Sequence, residues 1–284
     1  VIVDDLENPY FAKLAKNVER RLNQSGYYML LTDSGYRESK ELECVRRLND
    51  VGVLGFLITA TNADSRAVKL LQSLQKPFIL LNCRANTDDV DWISSDNEAG
   101  AYLATDYLIG LGHTRMMFIQ GVNDRTSKER FTGFKNALRA HRLRVEDQIV
   151  LPAGASGVQD GYLAIREFVA LHTLDSLPTA VFAINDPTAI GVMEALEQFG
   201  VAIPEDISVI GYDDLEISQS LKIPLTTIDQ SSYHIGEVAA SQIIGKLESN
   251  HNLSVINVHM KPEIRIRASC GPCRATRASR VDAP

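Results

Sequence analysis

Short, uninterrupted apolar runs alternate with amphipathic stretches along most of this chain, and no other feature limits its fold so strongly. A run that is apolar throughout, rather than at every second residue, predicts a strand that is covered on both faces. Helices on both faces of a parallel sheet provide that cover. The pattern therefore predicts an α/β fold with parallel sheets. The predicted strands comprise residues 1–3, 28–31, 53–59, 78–81, 116–119, 149–151, 180–184 and 207–210.

The stretches between these runs carry helix signals. Asn8 is expected to cap the first helix and Pro9 to be its first residue, because both residue types favour these positions. Apolar residues then recur at helical spacing until Gly26, which predicts the end of the helix. Further helices are predicted at 127–140, 186–199 and 233–247, and late strands at 255–258 and 263–266.

The two halves of the chain repeat one layout of strand, polar loop and helix. VIV-DDLENP-YFAKLAKNV opens one series and MMFIQ-GVNDRTSK-ERFTGFKNAL opens the other. Two lobes of roughly 100–130 residues each agree with ordinary domain sizes. The expected N-terminal lobe comprises 1–95 and 230–259, and the expected C-terminal lobe comprises 96–229 and 260–269. Residues 270–284 are expected to form a disordered tail.

Composition argues against several classes of protein. A net charge of −7 and a pI near 5.4 are unlike a protein whose main task is to grip nucleic acid. No run of 18 apolar residues is present, so we predict no membrane span. The first residues lack the basic and apolar segments of a secretory signal. The four cysteines show no disulfide framework, which favours the cytoplasm.

Motifs for common enzyme chemistry are absent from the sequence. It has neither a glycine-rich phosphate loop nor an H-E-x-x-H or G-x-S-x-G motif. The six histidines are scattered, and each is expected at the surface. We therefore predict no enzyme activity, no cofactor and no metal site. An enzyme such as a nucleoside or sugar hydrolase remains the most distant alternative, because a site can assemble from residues that are far apart in sequence.

The spacing of Cys270 and Cys273 matches a thioredoxin-type redox pair. That chemistry needs a helix N-terminus to stabilise the thiolate, and no amphipathic helix follows Cys273. A zinc site would need two further ligands nearby, and the sequence offers none. The motif therefore favours a disordered tail over a redox site.

A set of short motifs stands in a fixed order from residue 1 to about residue 269. The motifs are NPYF at 8–11, GHTR at 112–115, RFTGF at 130–134, NDPTAIG at 185–191, VIGYDD at 209–214, PLTTI at 224–228 and PEIRIRAS at 262–269. In this order the chain resembles the lactose-repressor/galactose-repressor (LacI/GalR) family of transcriptional regulators. The resemblance implies a periplasmic-binding-protein-like I fold, with two Rossmann-like lobes, three crossovers and a ligand cleft between the lobes.

The same resemblance implies a function. The chain is expected to be the effector-binding and dimerising core of a bacterial transcriptional regulator, a repressor, whose small-molecule effector is a sugar. The effector is expected to change the angle between the lobes of a homodimer, a coupling of about 1–3 kcal/mol. Operator DNA is expected to bind only through an N-terminal helix-turn-helix headpiece that these 284 residues lack. We expect no specific DNA binding from these residues alone, and no membrane partner.

Three polar residues are the main expected ligand contacts. Arg130 opens a helix after a polar loop, so its guanidinium can reach the cleft, and the resemblance makes it the main hydroxyl or carboxylate donor. The alternative is a surface arginine paired with Glu129 or Asp124. Asn185 follows an apolar strand and is expected to cap a helix, and the resemblance implies that it also touches the ligand. Asp213 follows another strand, the resemblance implies that it binds the sugar, and its carboxylate is expected to stay solvated until the ligand arrives.

Weaker candidates complete the expected site. Phe11 lies on the apolar stripe of its helix, so core packing explains it as well as stacking on a ligand does. Asp96 and Gln230 lie at predicted crossovers, and Arg125 lies just upstream of Arg130. Ser156 stands where the family often has an aromatic residue, which weakens the case for a stacking wall and leaves the effector open.

The main alternative to a regulator is a periplasmic sugar-binding protein of an ABC transporter, which has the same fold. The repressor-type VIGYDD and PLTTI segments and the cysteines argue against it. A transport receptor is expected to be a monomer and a repressor core a dimer, so molecular mass distinguishes them.

Overall fold

The computed structural model describes residues 1–122, 124–152, 154, 156–173, 176–249 and 254–274. In chain order the first elements are β1 (Ile2–Val3), α1 (Pro9–Gln24), β2 (Thr32–Asp33), α2 (Glu38–Val51), β3 (Phe56–Thr59), α3 (Arg66–Ser73), β4 (Phe78–Leu81) and β5 (Trp92–Ser95). The next are α4 (Asn97–Gly110), β6 (Met116–Gln120), α5 (Arg125–Ala140), β7 (Ile149–Pro152), α6 (Val158–Ala170), β8 (Ala180–Ala183) and α7 (Asp186–Gln198). The last are β9 (Ser208–Ile210), α8 (Glu216–Ser220), β10 (Thr227–Asp229), α9 (Ser232–Glu248), β11 (Asn257–Met260) and β12 (Glu263–Arg265).

The described residues form two compact units. Unit 1 comprises 1–96 and 231–261, and unit 2 comprises 97–230 and 262–274. The chain passes from one unit to the other after Asp96, after Gln230 and after Lys261. These positions differ by one or two residues from the lobe boundaries expected from the sequence.

Unit 1 is built on a parallel sheet with the strand order β11-β5-β4-β3-β1-β2 among the described residues. Ile2, Phe56, Ile58 and Leu80 come from its central strands and are almost fully buried. Continuous burial along a strand needs cover on both faces, as the apolar runs predicted. Helix α1 begins as expected, with the Asn8 side chain accepting from the Tyr10 amide and Pro9 in its first turn.

Unit 2 is built on a parallel sheet with the strand order β7-β6-β8-β9 among the described residues. β10 and β12 form an antiparallel pair, and a bridge between Ile210 and Thr226 connects the start of β10 to β9. Helices α6 and α7 pack closely because each has a glycine, Gly161 or Gly191, where it contacts the backbone of the other. A Cβ on Gly191 would lie only 1.9 Å from the Val158 carbonyl oxygen. Both sheets confirm the α/β fold with parallel strands.

The strand predicted at 28–31 is wrong. The parallel ladder pairs Ile2 with Thr32 and Val3 with Asp33, so β2 begins only after the apolar run. Tyr28 is 95% exposed, which shows that this run lies at the sheet edge without a covering layer. Apolar residues alone could not distinguish an uncovered edge segment from a buried strand.

Two other differences between the predicted and the observed strands lie near positions where the chain passes from one unit to the other. β5 (Trp92–Ser95) was not predicted, because its serines interrupt the apolar pattern, although all four of its residues are buried. The late strand predicted at 255–258 starts two residues further on, and it joins β5 in parallel.

The C-terminal segment Cys270–Cys273 is ordered, so the prediction of a disordered tail is wrong for these residues. Cys270 Sγ donates to the Val209 carbonyl at 3.2 Å, and the Cys273 amide donates to the Leu111 carbonyl at 2.9 Å. Burial raises the pKa of the Cys270 thiol to about 12, which makes a thiolate at neutral pH rare. Both cysteines are free thiols. Residues 275–284 of the expected tail lie outside the described residues.

One histidine explains why this segment is ordered. His113 is almost fully buried, contrary to the expectation of surface histidines. Its ring nitrogens lie 2.9 Å from Thr179 Oγ1, 3.1 Å from Ser208 Oγ and 3.0 Å from the Gly271 carbonyl oxygen. A polar side chain needs such partners when it is buried. His141, His172, His234 and His259 are exposed, and His251 lies outside the described residues.

Candidate functional site

Five of the seven predicted ligand contacts belong to unit 2, where they follow the carboxyl ends of its strands. Arg125 and Arg130 lie on α5, which follows β6, and Asn185 precedes α7, which follows β8. Asp213 follows β9 and Gln230 follows β10. Open parallel sheets bind ligands at this edge, because the loops that leave the strands converge there. We call the carboxyl ends of β6, β7, β8, β9 and β10, with the unit 2 residues that follow them, the unit 2 edge.

Arg130 is buried, and protein contacts fix its guanidinium. Nε donates to Asn97 Oδ1 at 3.1 Å, and Nη1 donates to the Ile184 carbonyl at 2.6 Å. The guanidinium carbon lies 3.6 Å from the centre of the Tyr212 ring, a cation–π contact. An arginine has five N–H donors in a fixed plane, and these contacts use two. The structure therefore fixes a planar cation at the unit 2 edge, and it does not pair Arg130 with Glu129 or Asp124.

Asp213 lies beside Arg130 and is also buried. Its Oδ1 is 3.8 Å from Arg130 Nη1 and accepts a hydrogen bond from the Gln230 amide. Burial raises the pKa of Asp213 to about 8; Arg130 opposes the rise, and the negative charge of Asp186 adds to it. The expectation of a solvated carboxylate is therefore wrong. At neutral pH this group carries a proton for much of the time and can both donate to and accept from a hydroxyl.

Asp186 holds the chain around Asp213 in place through buried hydrogen bonds. It was not among the predicted site residues. It is fully buried and accepts hydrogen bonds from the Leu215 amide at 2.9 Å, from the Ser218 hydroxyl at 2.6 Å and from the Thr227 hydroxyl. Burial raises its pKa to about 6, and these hydrogen bonds oppose the rise. The Asn-Asp pair at 185–186 was the signal that could have identified it, since only one of the two residues can be the N-cap.

The loop that carries Asp213 has an unusual backbone. Asp213 has φ of 125° and Asp214 has φ of 51°, both in the region that side chains other than glycine rarely adopt. The bonds from Asp186 to Leu215 and Ser218 fix the chain directly after this turn. Such a conformation persists only when its surroundings hold it in place, and it is typical of ligand sites.

Asn185 caps α7 as predicted, because its Oδ1 accepts from the Thr188 amide at 2.9 Å. Its Nδ2 donates to the Ser156 carbonyl at 2.9 Å. Ser156 Oγ in turn accepts from the Val122 amide at 3.1 Å. Ser156 thus ties the loop after β7 to the loop after β6. It supplies no aromatic surface at this position, as the sequence indicated.

Arg125 is less buried than Arg130 and already has an anionic partner. Its Nε lies 2.9 Å from Glu129 Oε1, one turn further along α5. Glu129 also accepts from Asn97 Nδ2 at 3.2 Å. Asn97, at the start of α4, therefore connects Glu129 to Arg130. No local pattern in the sequence identifies Asn97, because it lies 33 positions from Arg130.

Phe11 and Asp96 belong to unit 1, so the structure does not group them with the other five residues. Phe11 is buried and makes edge-to-face contacts with Tyr10 and Tyr36, with ring centres 5.2 and 6.4 Å away. Asp96 follows β5, and its Oδ2 lies 3.6 Å from His259 Nδ1. Both follow the carboxyl ends of unit 1 strands, the edge that corresponds to the unit 2 edge.

The described residues contain no group of three or more histidine, cysteine or acidic residues placed to hold a metal ion. Among the same residues, every helix is too short or too polar to cross a bilayer.

The raised pKa of Asp213 predicts a pH-dependent stability. Its folded pKa lies above the usual 3.8, so the folded state binds more protons between pH 4 and pH 8. The contribution of this group to the free energy of unfolding is therefore greatest below about pH 4 and falls as the pH rises to 8. We expect a loss of about 1 kcal/mol between pH 6 and pH 7 in chemical unfolding without ligand.

The Asp213→Asn variant should show a flatter pH profile, because the amide does not titrate. Asp147→Asn is the matched control, since the Asp147 side chain is 59% exposed. Parallel profiles for Asp213→Asn and the unchanged protein would contradict the raised pKa.

Comparison with known proteins gives consistent matches over almost the whole chain. A family model described as periplasmic binding proteins and sugar binding domain of LacI family matches residues 1–265. The chain is 34% identical over 277 residues to the HTH-type transcriptional repressor PurR of Haemophilus influenzae (strain PittEE), which covers 95% of this chain and 80% of that repressor. It is 30% identical over 270 residues to the PurR of Vibrio vulnificus (strain CMCP6), covering 94% and 79%.

Solved structures agree with this match. A LacI family transcriptional regulator from Enterococcus faecium, solved with bound ribose, has a TM-score of 0.84 and 29% identity, covering 95% of this chain and 98% of that one. The transcriptional regulator CelR in complex with cellobiose has a TM-score of 0.82 and 22% identity, covering 94% of this chain and 83% of that one. The second likeness shows a shared fold only.

Proposed function

Because the chain belongs to the LacI family of transcriptional regulators, we propose that it is the effector-sensing and dimerising core of a bacterial repressor with a small, sugar-like effector. The relatives that share about a third of its residues are named transcriptional repressors, which supports the repressor role. We place this function in the cytoplasm, where a repressor meets its operator DNA. Effector binding then changes operator affinity, typically through about 1–3 kcal/mol of coupling.

The observation that carries the proposal is the cluster of Arg130, Asn185, Asp213 and Gln230 at the unit 2 edge. Arg130 offers forked N–H donors, and Asp213 with its raised pKa can donate or accept. A sugar hydroxyl both donates and accepts, so this set suits a polyol. The ribose bound to the Enterococcus faecium regulator supports the same class of ligand.

The proposed ligand contacts are the residues expected from the sequence. They are Phe11, Asp96, Arg125, Arg130, Asn185, Asp213 and Gln230. Of these, Arg130 and Asp213 have the strongest support, because they combine burial with polar groups that the protein does not fully use. Arg125 has the weakest, because Glu129 already neutralises it.

A thermal-shift panel tests the proposal. The panel contains ribose, other mono- and disaccharides, and purine bases and nucleosides, each at millimolar concentration. A ligand at 100 times its dissociation constant stabilises the folded protein by about 2.7 kcal/mol, so an effector should separate clearly from the other compounds. If no sugar or nucleoside shifts the melting temperature, the proposed class of effector is wrong.

Molecular mass in solution tests the regulator against the transport receptor. Light scattering on a sizing column should give about twice the 31.4 kDa of one chain, because we propose a homodimer. A monomer at all concentrations would favour a periplasmic sugar-binding protein.

A further inference from the structure

Three helix N-termini at the unit 2 edge carry acidic side chains of their own. The free amides at a helix N-terminus are the usual binding site for phosphate in α/β folds. At the start of α5, however, Asp124 accepts from the Ser127 amide at 2.7 Å. Burial raises the pKa of Asp124, and its hydrogen bonds with Ser127 and the charge of Arg130 oppose the rise. The α5 terminus therefore already holds an acidic side chain.

The next two helices follow the same rule. At α6, Asp160 accepts from the Gly157 amide at 3.0 Å. At α7, Asn185 accepts from the Thr188 amide, and the carboxyl of Asp186 lies in the first turn. At each of these three termini a side chain of the protein thus already accepts from one amide, and an acidic side chain lies beside it.

The arginines at the unit 2 edge are already engaged with groups of the protein. Arg125 is paired with Glu129 at 2.9 Å. Arg130 faces Asp213 and gives two of its donors to neutral acceptors. Arg265 and Arg267 are both engaged with Asp214. Within the described part of this edge, the carboxyls of Asp124, Glu129, Asp160, Asp186 and Asp214 outnumber these four arginines even when Asp213 carries a proton.

We infer that the unit 2 edge selects an uncharged, hydroxyl-bearing effector and rejects the phosphorylated or carboxylated form of the same molecule. This inference rests on the proposed function and names the charge of its ligand. A phosphate at this edge would meet acidic side chains, and at each of the three helix termini one amide is already bonded to the protein, so its lost hydration would be replaced only in part. Repulsive groups of this kind give specificity without any new attractive contact.

Isothermal titration of matched pairs tests the inference. The pairs are ribose and ribose 5-phosphate, glucose and glucose 6-phosphate, and adenosine and adenosine monophosphate, at pH 7.5 and constant ionic strength. In any pair whose neutral member binds, the phosphorylated member should bind at least about 100-fold more weakly. Equal or tighter binding of a phosphorylated member overturns the inference and leaves the proposed sugar sensor standing. If no member of any pair binds, the proposed function fails, and the inference fails with it.

Two charge-removing variants locate the effect. Asp124→Asn and Asp160→Asn each keep an oxygen that can accept from the helix amide but lose the negative charge. Either change should narrow the affinity ratio between the neutral and phosphorylated members by about 3- to 10-fold. Asp147→Asn, at an exposed site, should leave the ratio as it was. Ratios that stay fixed in both edge variants, when both variants fold by circular dichroism, would show that these carboxylates do not provide the discrimination.

Discussion

Replacing Arg130 with alanine should abolish the effector-induced thermal shift and weaken binding by about 100-fold or more. A hydrogen bond to a charged group contributes about 1.5–3 kcal/mol, so the loss of two such bonds to a ligand gives this factor. The change also removes the donors to Asn97 Oδ1 and the Ile184 carbonyl, and it leaves Asp213 without its nearest cation. Titration calorimetry with the best ligand of the panel measures the loss.

Two further variants separate binding from folding in this prediction. Arg130→Lys keeps the charge but cannot donate in a fork, so we expect an intermediate loss of affinity. Arg139→Ala, on the exposed part of the same helix, should bind as the unchanged protein does. Melting of each variant without ligand shows whether it is folded. A folded Arg130→Ala protein with full affinity would remove Arg130 from the proposed contacts.

The sequence placed part of this site because local rules govern that part. Asn185 comes directly after a continuous apolar run and Asp213 comes three residues after another, and the carboxyl ends of parallel strands meet at one edge. Arg130 follows from the family motif RFTGF and from its position in the first turns of α5. Each of these residues could be located from a pattern of ten residues or fewer together with the family resemblance.

The remaining contacts of the site join residues that are far apart in sequence, so no short sequence pattern contains them. Asn97 reaches Arg130 from 33 positions away, and Asp186 meets Ser218 and Thr227 from 32 and 41 positions away. The charge state of Asp213 depends on burial and on Asp186, which only the folded chain brings near it. Sequence patterns therefore located the polar residues but gave the wrong environment for Asp213.

The same limit explains the C-terminal error. The CGPC segment has breakers and charged neighbours, which locally favour disorder. Its order comes from His113 and Ser208, which lie 158 and 63 positions from Gly271 and bond to its backbone. Buried polar groups of unit 2 need partners, and this segment supplies them.

Replacing Asp186 with alanine should destabilise unit 2 by about 3 kcal/mol, which corresponds to a fall of roughly 6–12 °C in melting temperature. The change leaves the Leu215 amide without an acceptor and removes the partner of the Ser218 and Thr227 hydroxyls, all in a fully buried place. A buried donor that loses its acceptor costs about 1–3 kcal/mol. Because these bonds fix the turn that carries Asp213, affinity for the effector should also fall.

Asp186→Asn distinguishes the hydrogen bonds from the charge. The amide retains one acceptor oxygen, and the two hydroxyls can rotate to accept from its N–H group, so the loss of stability should be smaller than in Asp186→Ala. Removal of the negative charge should lower the pKa of Asp213, because Asp186 is one of the causes that raise it. The pH-dependent loss of stability between pH 6 and pH 8 should therefore move to lower pH. If the pH profile of stability of Asp186→Asn coincides with that of the unchanged protein, the two carboxyls titrate independently. Asp186 then does not influence the protonation of Asp213.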